Sequence, residues 1–341
     1  MNTFKYIVLR REIKLNEFRV PLVPNDCNKL INRTMTVYIE RCNKRCFSDI
    51  LYSDQGCIMI DSYLDLPHNK NEILVVGLKE LGDDPMIYSY NHLYFSHTFK
   101  NQLNSMKILK MFKENGGSIY DLEYFTDKYN NRLFAFGYHA GIVGCYLGLL
   151  QYYYKKQGLS ISNIKPFRSF ELLVEHIQKE KLYIYIQPTI AIIGNGRCAS
   201  GCIALLDLLE LPYTILTRND IINSNKLSSY NIVINCILIN RCIKFIIPET
   251  LHQLTNTMVI VDISCDYNNI YNPIAIYDTP SSLIDPVIRI NDKLDLIAID
   301  NLPSLLPFES CQAFSSKLVE IINTDNSLWV KTHRLFLNKI M

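Results

Sequence analysis

Four apolar residues, Ile190-Ala-Ile-Ile193, run directly into Gly194-Asn-Gly196-Arg-Cys-Ala199-Ser-Gly201. Glycine is otherwise scarce, 13 in 341 residues, against about 7% in an average protein. Three within this short stretch are therefore a local demand. A buried strand that ends in G-x-G-x-x-A and continues as a helix has the pattern of a dinucleotide loop: Gly194 makes the tight turn, Gly196 admits a pyrophosphate, and Ala199 lets helix and strand pack closely. An ordinary strand-to-helix turn needs only one glycine. About 20 residues further on, an acidic side chain is expected at the ribose 2′-hydroxyl. The stretch there is Thr217-Arg-Asn-Asp220. Asp220 suits NAD, whereas Arg218 beside Asn219 suits the 2′-phosphate of NADP.

Around this loop, β-branched runs alternate with amphipathic stretches along most of the chain, which is an α/β pattern. Short strands are expected at Lys5–Leu9, Thr36–Ile39, Cys57–Ile60, Ile73–Gly77 and Leu93–Ser96, with helices at Asn25–Ile31 and Asn101–Lys113, the latter stopped by Asn115-Gly-Gly117. A second series follows the loop strand: Tyr213–Leu216, Ile232–Ile234, Met258–Ile263 and Leu296–Ile299. These are uninterrupted apolar runs, as in parallel strands covered on both faces. Between the two series, Leu133–Tyr154 carries no charged side chain and is roughly as long as a membrane span. Its glycines at 137, 141, 144 and 148 recur every three or four residues and make one small-residue face. Tight packing inside a globular core is the preferred reading over a membrane dimer. The domain boundary is placed there: residues 1–136 with a returning helix at 325–341 form one domain, and residues 137–324 form the dinucleotide domain.

Composition narrows the partners. With 35 Lys+Arg against 33 Asp+Glu, the formal net charge is +2, no footprint for nucleic acid. The 11 cysteines are scattered, with no CxxC pair and no His/Cys ligand set. This points to a reduced chain without a metal site. Charges within the first dozen residues leave no apolar signal core. A cytoplasmic monomer acting on small molecules, away from membranes, is expected.

Candidate chemistry sits at strand ends. Ile73–Gly77 leads into Leu78-Lys79-Glu80, and Leu93–Ser96 leads into His97, three residues before Lys100. A lysine whose charge is moderated by burial, paired with an imidazole, can share proton transfers to nitrogen and oxygen. Arg19, between the first strand and the first helix, has the donor fork to clamp a carboxylate. Glu123 is a partner for such cations. Taken singly, each of these residues is more often a solvated or structural one.

Together, the segments resemble the NAD-dependent, lysine-forming saccharopine dehydrogenases, in the same order and over nearly the whole chain. The stretches that carry the resemblance are Asn16–Pro24, Gly77-Leu-Lys-Glu80, Phe95–Gln102, Ile119-Tyr-Asp-Leu-Glu123, Ala135-Phe-Gly137 with Ala140-Gly141, Gly196-Arg-Cys198, Ile234-Asn-Cys236, Val261-Asp-Ile-Ser264, Tyr271-Asn-Pro-Ile274 and Ile299–Pro307. The resemblance implies two Rossmann-like domains with parallel sheets and an interdomain cleft. It also implies conversion of saccharopine, NAD and water to lysine, 2-oxoglutarate and NADH, in lysine biosynthesis.

Carried over by position, Lys79 and His97 take the acid–base roles, tuned by Glu80 and Glu123. Arg19, Lys79, Lys100, Phe136, Ser264, Cys265 and Asp266 face the substrate. Arg132, Gly194, Gly196, Arg197, Asn219, Ile263, Ile299, Asp300, Asn301 and Leu302 contact the cofactor. Cys198 and Cys236 match two neighbouring family cysteines, which implies a possible disulfide. Several positions depart from the family. The glycine loop is one residue shorter than G-x-x-G-R-C-G-S-G, and Asn219 stands where the family has a ribose-binding Asp. Cys265 replaces Ala, Asn301 replaces His, Phe308 replaces Arg, and the Gly-Gly-Pro-Phe stretch after Asp220 is lacking. The alternatives are an opine-type dehydrogenase with a changed substrate and a non-catalytic dinucleotide-binding relative.

Overall fold

A computed structural model describes residues 4–99, 104–181, 186–221, 224–237, 244–267, 269–324 and 326–341. The chain forms two compact units, Met1–Ala135 with Pro307–Met341, and Phe136–Leu306.

The first unit carries strands β1 (Tyr6–Leu9), β2 (Thr36–Glu40), β3 (Ile58–Ile60), β4 (Ile73–Val76), β5 (Asn91–Tyr94) and β6 (Ser118–Asp121), with helices α1 (Pro24–Ile31), α2 (Asp49–Ser53) and α3 (Ser105–Asn115). The strands lie in the order β3-β2-β1-β4-β5-β6, and every pairing is parallel. This is the doubly wound order, and the strand direction of travel reverses between β1 and β4. All four residues of β4 are fully buried, as expected for a strand covered on both faces. Helix α3 starts at Ser105 instead of Asn101; residues 101–103 lie outside the described residues. It stops at Gly116, whose φ of +81° closes the last turn through its N–H to the Phe112 carbonyl.

The second unit opens with α4 (Gly137–Lys156) and α5 (Phe170–Lys181). There follow β7 (Ile190–Ile193), α6 (Arg197–Leu208), β8 (Tyr213–Leu216), α7 (Arg218–Ile221), β9 (Ile232–Asn235), β10 (Val259–Asp262), β11 (Ile288–Arg289) and β12 (Asp295–Ile297). The sheet order is β8-β7-β9-β10-β12-β11, parallel except for the β11–β12 edge pair. Its order reverses between β7 and β9, so the glycine loop leaves β7 at the switch point of this sheet.

The glycine stripe of α4 faces inward. A Cβ at Gly141 would stand 1.9 Å from the Cys198 carbonyl oxygen, and one at Gly201 would stand 1.9 Å from that of Tyr138. Helices α4 and α6 therefore touch backbone to backbone. Among the described residues no helix is long and apolar enough to cross a membrane.

After Leu306 the chain returns to the first unit through α8 (Pro307–Thr324) and α9 (Asn326–Ile340). The return was expected at 325 and comes at Pro307. The cause is local: Cys311 Sγ and Ser315 Oγ of α8 accept from the Val20 and Val23 N–H groups, and Phe314 packs on Phe95 and Phe134. The closing helix then lays Trp329 and His333 on Tyr120 of the β6 edge.

Candidate functional site

In the first unit the candidate residues gather beyond the carboxyl ends of β1, β4, β5 and β6. The register pairs Leu9 with Val76, so the next residues, Arg10 and Gly77, lie side by side. Arg10 fills the space a side chain at 77 would need, since a Cβ there would stand 2.3 Å from its Nε. From this position the guanidinium donates through Nη2 to the Lys79 carbonyl. It pairs through Nη1 with Glu12 Oε2 at 3.1 Å. The Glu12 carboxylate in turn accepts from the Leu78 N–H at 2.6 Å and the Lys79 N–H at 3.1 Å. Lys79 is half-buried and Glu80 exposed.

The neighbouring strand end is tied to this loop, because the Phe95 N–H donates to the Leu78 carbonyl at 3.3 Å. Two residues on, His97 adopts φ +55°, a left-handed conformation that costs an ordinary residue energy and persists where its surroundings enforce it. They do so here. Ser96 Oγ donates to Asp121 Oδ2 at 2.6 Å, pairs with Thr98 Oγ1 at 2.8 Å and accepts from the Thr98 N–H, so both neighbours of His97 are held. Its Nδ1 lies 4.0 Å from Glu123 Oε1, and Arg132 Nη1 lies 3.0 Å from the same oxygen. Glu123 thus sits between an imidazole and a guanidinium, both about half exposed.

Asp121, fully buried, also accepts from the Glu123 N–H. Burial pushes its carboxyl up to about 6, against the opposing pull of the Ser96 and Glu123 donors. Because folding raises this pKa, the stabilisation is complete below about pH 4 and is lost as the pH rises through about 6. Asp121→Asn keeps an acceptor for Ser96 and removes the ionisation. The variant should gain on the wild type between pH 4 and 7 by up to about 3 kcal/mol, from a shift of roughly two units. Urea unfolding across that range tests it, and a gap independent of pH refutes the assignment.

Arg19 is buried and turns the Nε–Nη2 edge of its guanidinium onto Glu17, at 2.7 and 2.6 Å. A small crevice beside it is lined by Arg10, Glu12, Glu17, Cys42 and Arg45. Lys100 lies outside the described residues. Arg10, Glu12, Glu17, Ser96 and Asp121 were not anticipated. The available signal was charge immediately after a strand, which reads as solvated until the strand order is known.

The other candidates belong to the second unit. Gly194 has φ +109°, and Gly196 caps α6 without any side-chain bond to its first turn. Nothing stands within 4 Å of where a Gly196 Cβ would be. A positive-φ turn and an open glycine at a helix N-terminus fit a pyrophosphate. At the end of β8, Asp220 accepts from the Thr217 N–H and hydroxyl and pairs with Lys226 at 3.0 Å. These donors hold its carboxyl well below the usual range. Asn219 is exposed. Ile263, Ile299, Asn301 and Leu302 are buried, and Asp300 is exposed.

Ser264 donates to Asp262 Oδ1 at 2.7 Å, Cys265 takes φ +48°, and Asp266 accepts from Asn269. Arg197 is exposed and Phe136 is half-buried at the start of α4.

The implied Cys198–Cys236 disulfide is corrected by the structure. No disulfide joins the two, and Cys236 Sγ instead lies 3.7 Å from Cys202 Sγ. Cys202 is one turn along α6 and fully buried, so that turn is the one presented to the end of β9. Among the described residues no group of three or more His, Cys, Asp or Glu could hold a metal ion.

Residues 8–143 match the family described as alanine dehydrogenase/PNT, N-terminal domain. The chain is 30% identical to the saccharopine dehydrogenase (NAD+, L-lysine-forming) of Yarrowia lipolytica, covering 96% of this chain and 95% of that one. It is 31% identical to the enzyme of the same name from Schizosaccharomyces pombe, over 97% of each. Among solved structures it is similar in fold to an L-alanine dehydrogenase, with TM-score 0.68 at 17% identity over 97% of this chain and 93% of that one. A transhydrogenase from Sinorhizobium meliloti gives TM-score 0.68 at 13% identity, over 93% and 92%.

Proposed function

The chain belongs to the NAD+-dependent, lysine-forming saccharopine dehydrogenases, and from that premise we propose how its residues act on saccharopine. It is an oxidoreductase that oxidatively deaminates saccharopine to L-lysine and 2-oxoglutarate, with NAD+ as cofactor. The observation that carries the site reading is the juxtaposition of two loops: Lys79 follows β4, His97 follows the adjacent parallel strand β5, and the Leu78–Phe95 hydrogen bond joins them.

The residues at the end of β7 fit the cofactor. Gly194, Gly196 and the first turn of α6 would hold its pyrophosphate, and we place Asp220, the acidic side chain just after β8, at the ribose. The chemistry a bound NAD+ supplies is acceptance of hydride from the carbon next to the bridging nitrogen of saccharopine. Lys79 Nζ and the His97 imidazole carry protons to and from that nitrogen and the oxygen of the water that adds to the resulting imine. Glu123, held by Arg132 at 3.0 Å, stands 4.0 Å from His97 Nδ1. We place Arg19 and Lys100 as cations for a substrate rich in carboxylates and Arg132, half exposed, at the cofactor. Ser264 and Asp266 are proposed substrate contacts on the second unit. The scattered cysteines, with no CxxC pair, support our placing the protein in the reducing cytoplasm.

The test follows NADH absorbance with lysine and 2-oxoglutarate added to the purified protein, each omitted in turn, with NADPH in parallel. Consumption of NADH should require both substrates, and NADPH should be the poorer cofactor by tenfold or more. Consumption with a different amino acid in place of lysine would sink the substrate assignment.

A further inference from the structure

We propose that Glu12 is a positioning residue for Lys79, with Arg10 as the group that holds it in place. The inference rests on the acid–base reading of Lys79 and goes beyond it. Three contacts carry it. The Glu12 carboxylate receives two consecutive N–H groups, those of Leu78 and Lys79; Arg10 takes the carbonyl of Lys79 itself; and Arg10 and Glu12 neutralise one another. The peptide groups on both sides of the Lys79 Cα are therefore fixed by charged side chains that are 4% and 6% exposed.

Such a pair is a poor device for stability alone. Burying two charges costs desolvation that their attraction barely repays, and apolar residues of similar volume often do as well. What the pair supplies is geometry. A carboxylate bonded to adjacent N–H groups defines the direction in which the next side chain leaves the backbone, and charge-assisted bonds are about twice as strong as neutral ones. The same carboxylate reaches the second loop, since the Leu78 carbonyl accepts from Phe95, two residues before His97. One buried anion thus sets the spacing of both proton-transferring residues. Gly77 completes the device, because any larger residue would expel Arg10 from its seat.

The test compares Glu12→Gln, Gly77→Ala, Lys79→Met and the double variant Glu12→Gln/Lys79→Met, each in the full-length protein. Glu12→Gln sets an amide donor against one of the two N–H groups. Gly77→Ala dislodges Arg10 without touching either acid. Each is expected to lower kcat for saccharopine oxidation by about a hundredfold, the loss typical of a small misplacement of a catalytic group. The KM for NAD+ and the NADH dissociation constant read by fluorescence should stay within twofold. The double variant should be no slower than Lys79→Met alone.

Wild-type kcat in Glu12→Gln, with Lys79→Met inactive, overturns the proposal and leaves the reading of Lys79 intact. Full activity in Lys79→Met overturns that reading instead. Additive losses in the double variant show that Glu12 acts through something other than Lys79. Failure of both Glu12→Gln and Gly77→Ala to bind NADH assigns the pair to folding, and that too overturns the proposal.

Discussion

A Lys79→Met variant loses roughly 10³-fold in kcat for saccharopine, within the range that a positioned acid or base supplies, while still binding NADH. Methionine keeps the apolar length of the lysine stem and removes only the ammonium. The loop that carries it is held by backbone bonds from Arg10 and Glu12, so the substitution leaves its neighbours in place. The dinucleotide loop belongs to a unit with its own sheet and core, and this is why cofactor affinity should be spared. His97→Gln should cost less, since an amide retains a hydrogen-bonding group beside Glu123. The combined variant should fall short of the product of the two losses, because groups that work as one relay fail together. Stopped-flow and steady-state rates of NADH formation measure all three. A Lys79→Met enzyme within tenfold of the wild type removes the lysine from the proton-transfer chemistry.

The placement of those two residues was legible in the sequence because each follows an apolar run, and parallel strands deliver their next residues to one edge of a sheet; their roles came from the family resemblance. The glycine loop was legible for the same reason, with the added signal of glycine crowding. What was hidden depends on strand order. Arg10 and Glu12 follow β1 and meet Gly77 and Lys79 only because β1 pairs with β4, more than 60 residues away; in sequence they are ordinary charges after a strand. Strand β6 was missed because Ser118-Ile-Tyr-Asp121 has a single aliphatic residue, and its burial comes from Tyr120 lying under Trp329 and His333 of α9. Edge strand β11, with two residues, is too short to give a periodic signal. The return to the first unit at Pro307 escaped notice because α8 is marked by its bonds to Val20 and Val23 and not by a composition change. Cys202 escaped attention because its neighbour Cys198 occupies the recognisable motif.

The glycine stripe of α4 has its largest consequence at the helix it meets. Gly201→Val should destabilise the second unit by about 3 kcal/mol or more, at the severe end of overpacking. A Cβ at 201 would lie 1.9 Å from the Tyr138 carbonyl oxygen and 2.9 Å from its carbon. Both are backbone atoms of α4, so no side-chain rotation relieves the clash. The reciprocal contact of Gly141 with the Cys198 carbonyl means that the two helices separate as bodies or not at all. Separation also strips Gly144 and Gly148 from Val261 of β10, and Gly144 from Ile263 just after that strand. Since α6 begins at Arg197, directly after Gly196, its displacement moves the loop assigned to the pyrophosphate, and NADH affinity should weaken together with stability. Ser200→Ala, one residue earlier on the exposed face of the same helix, is the control and should change stability by no more than about 0.5 kcal/mol. Urea unfolding of the two variants, with NADH fluorescence titrations in parallel, separates the cases. If Gly201→Val unfolds with the Ser200→Ala control, α4 and α6 do not meet backbone to backbone, and the packing given to the glycine stripe is wrong.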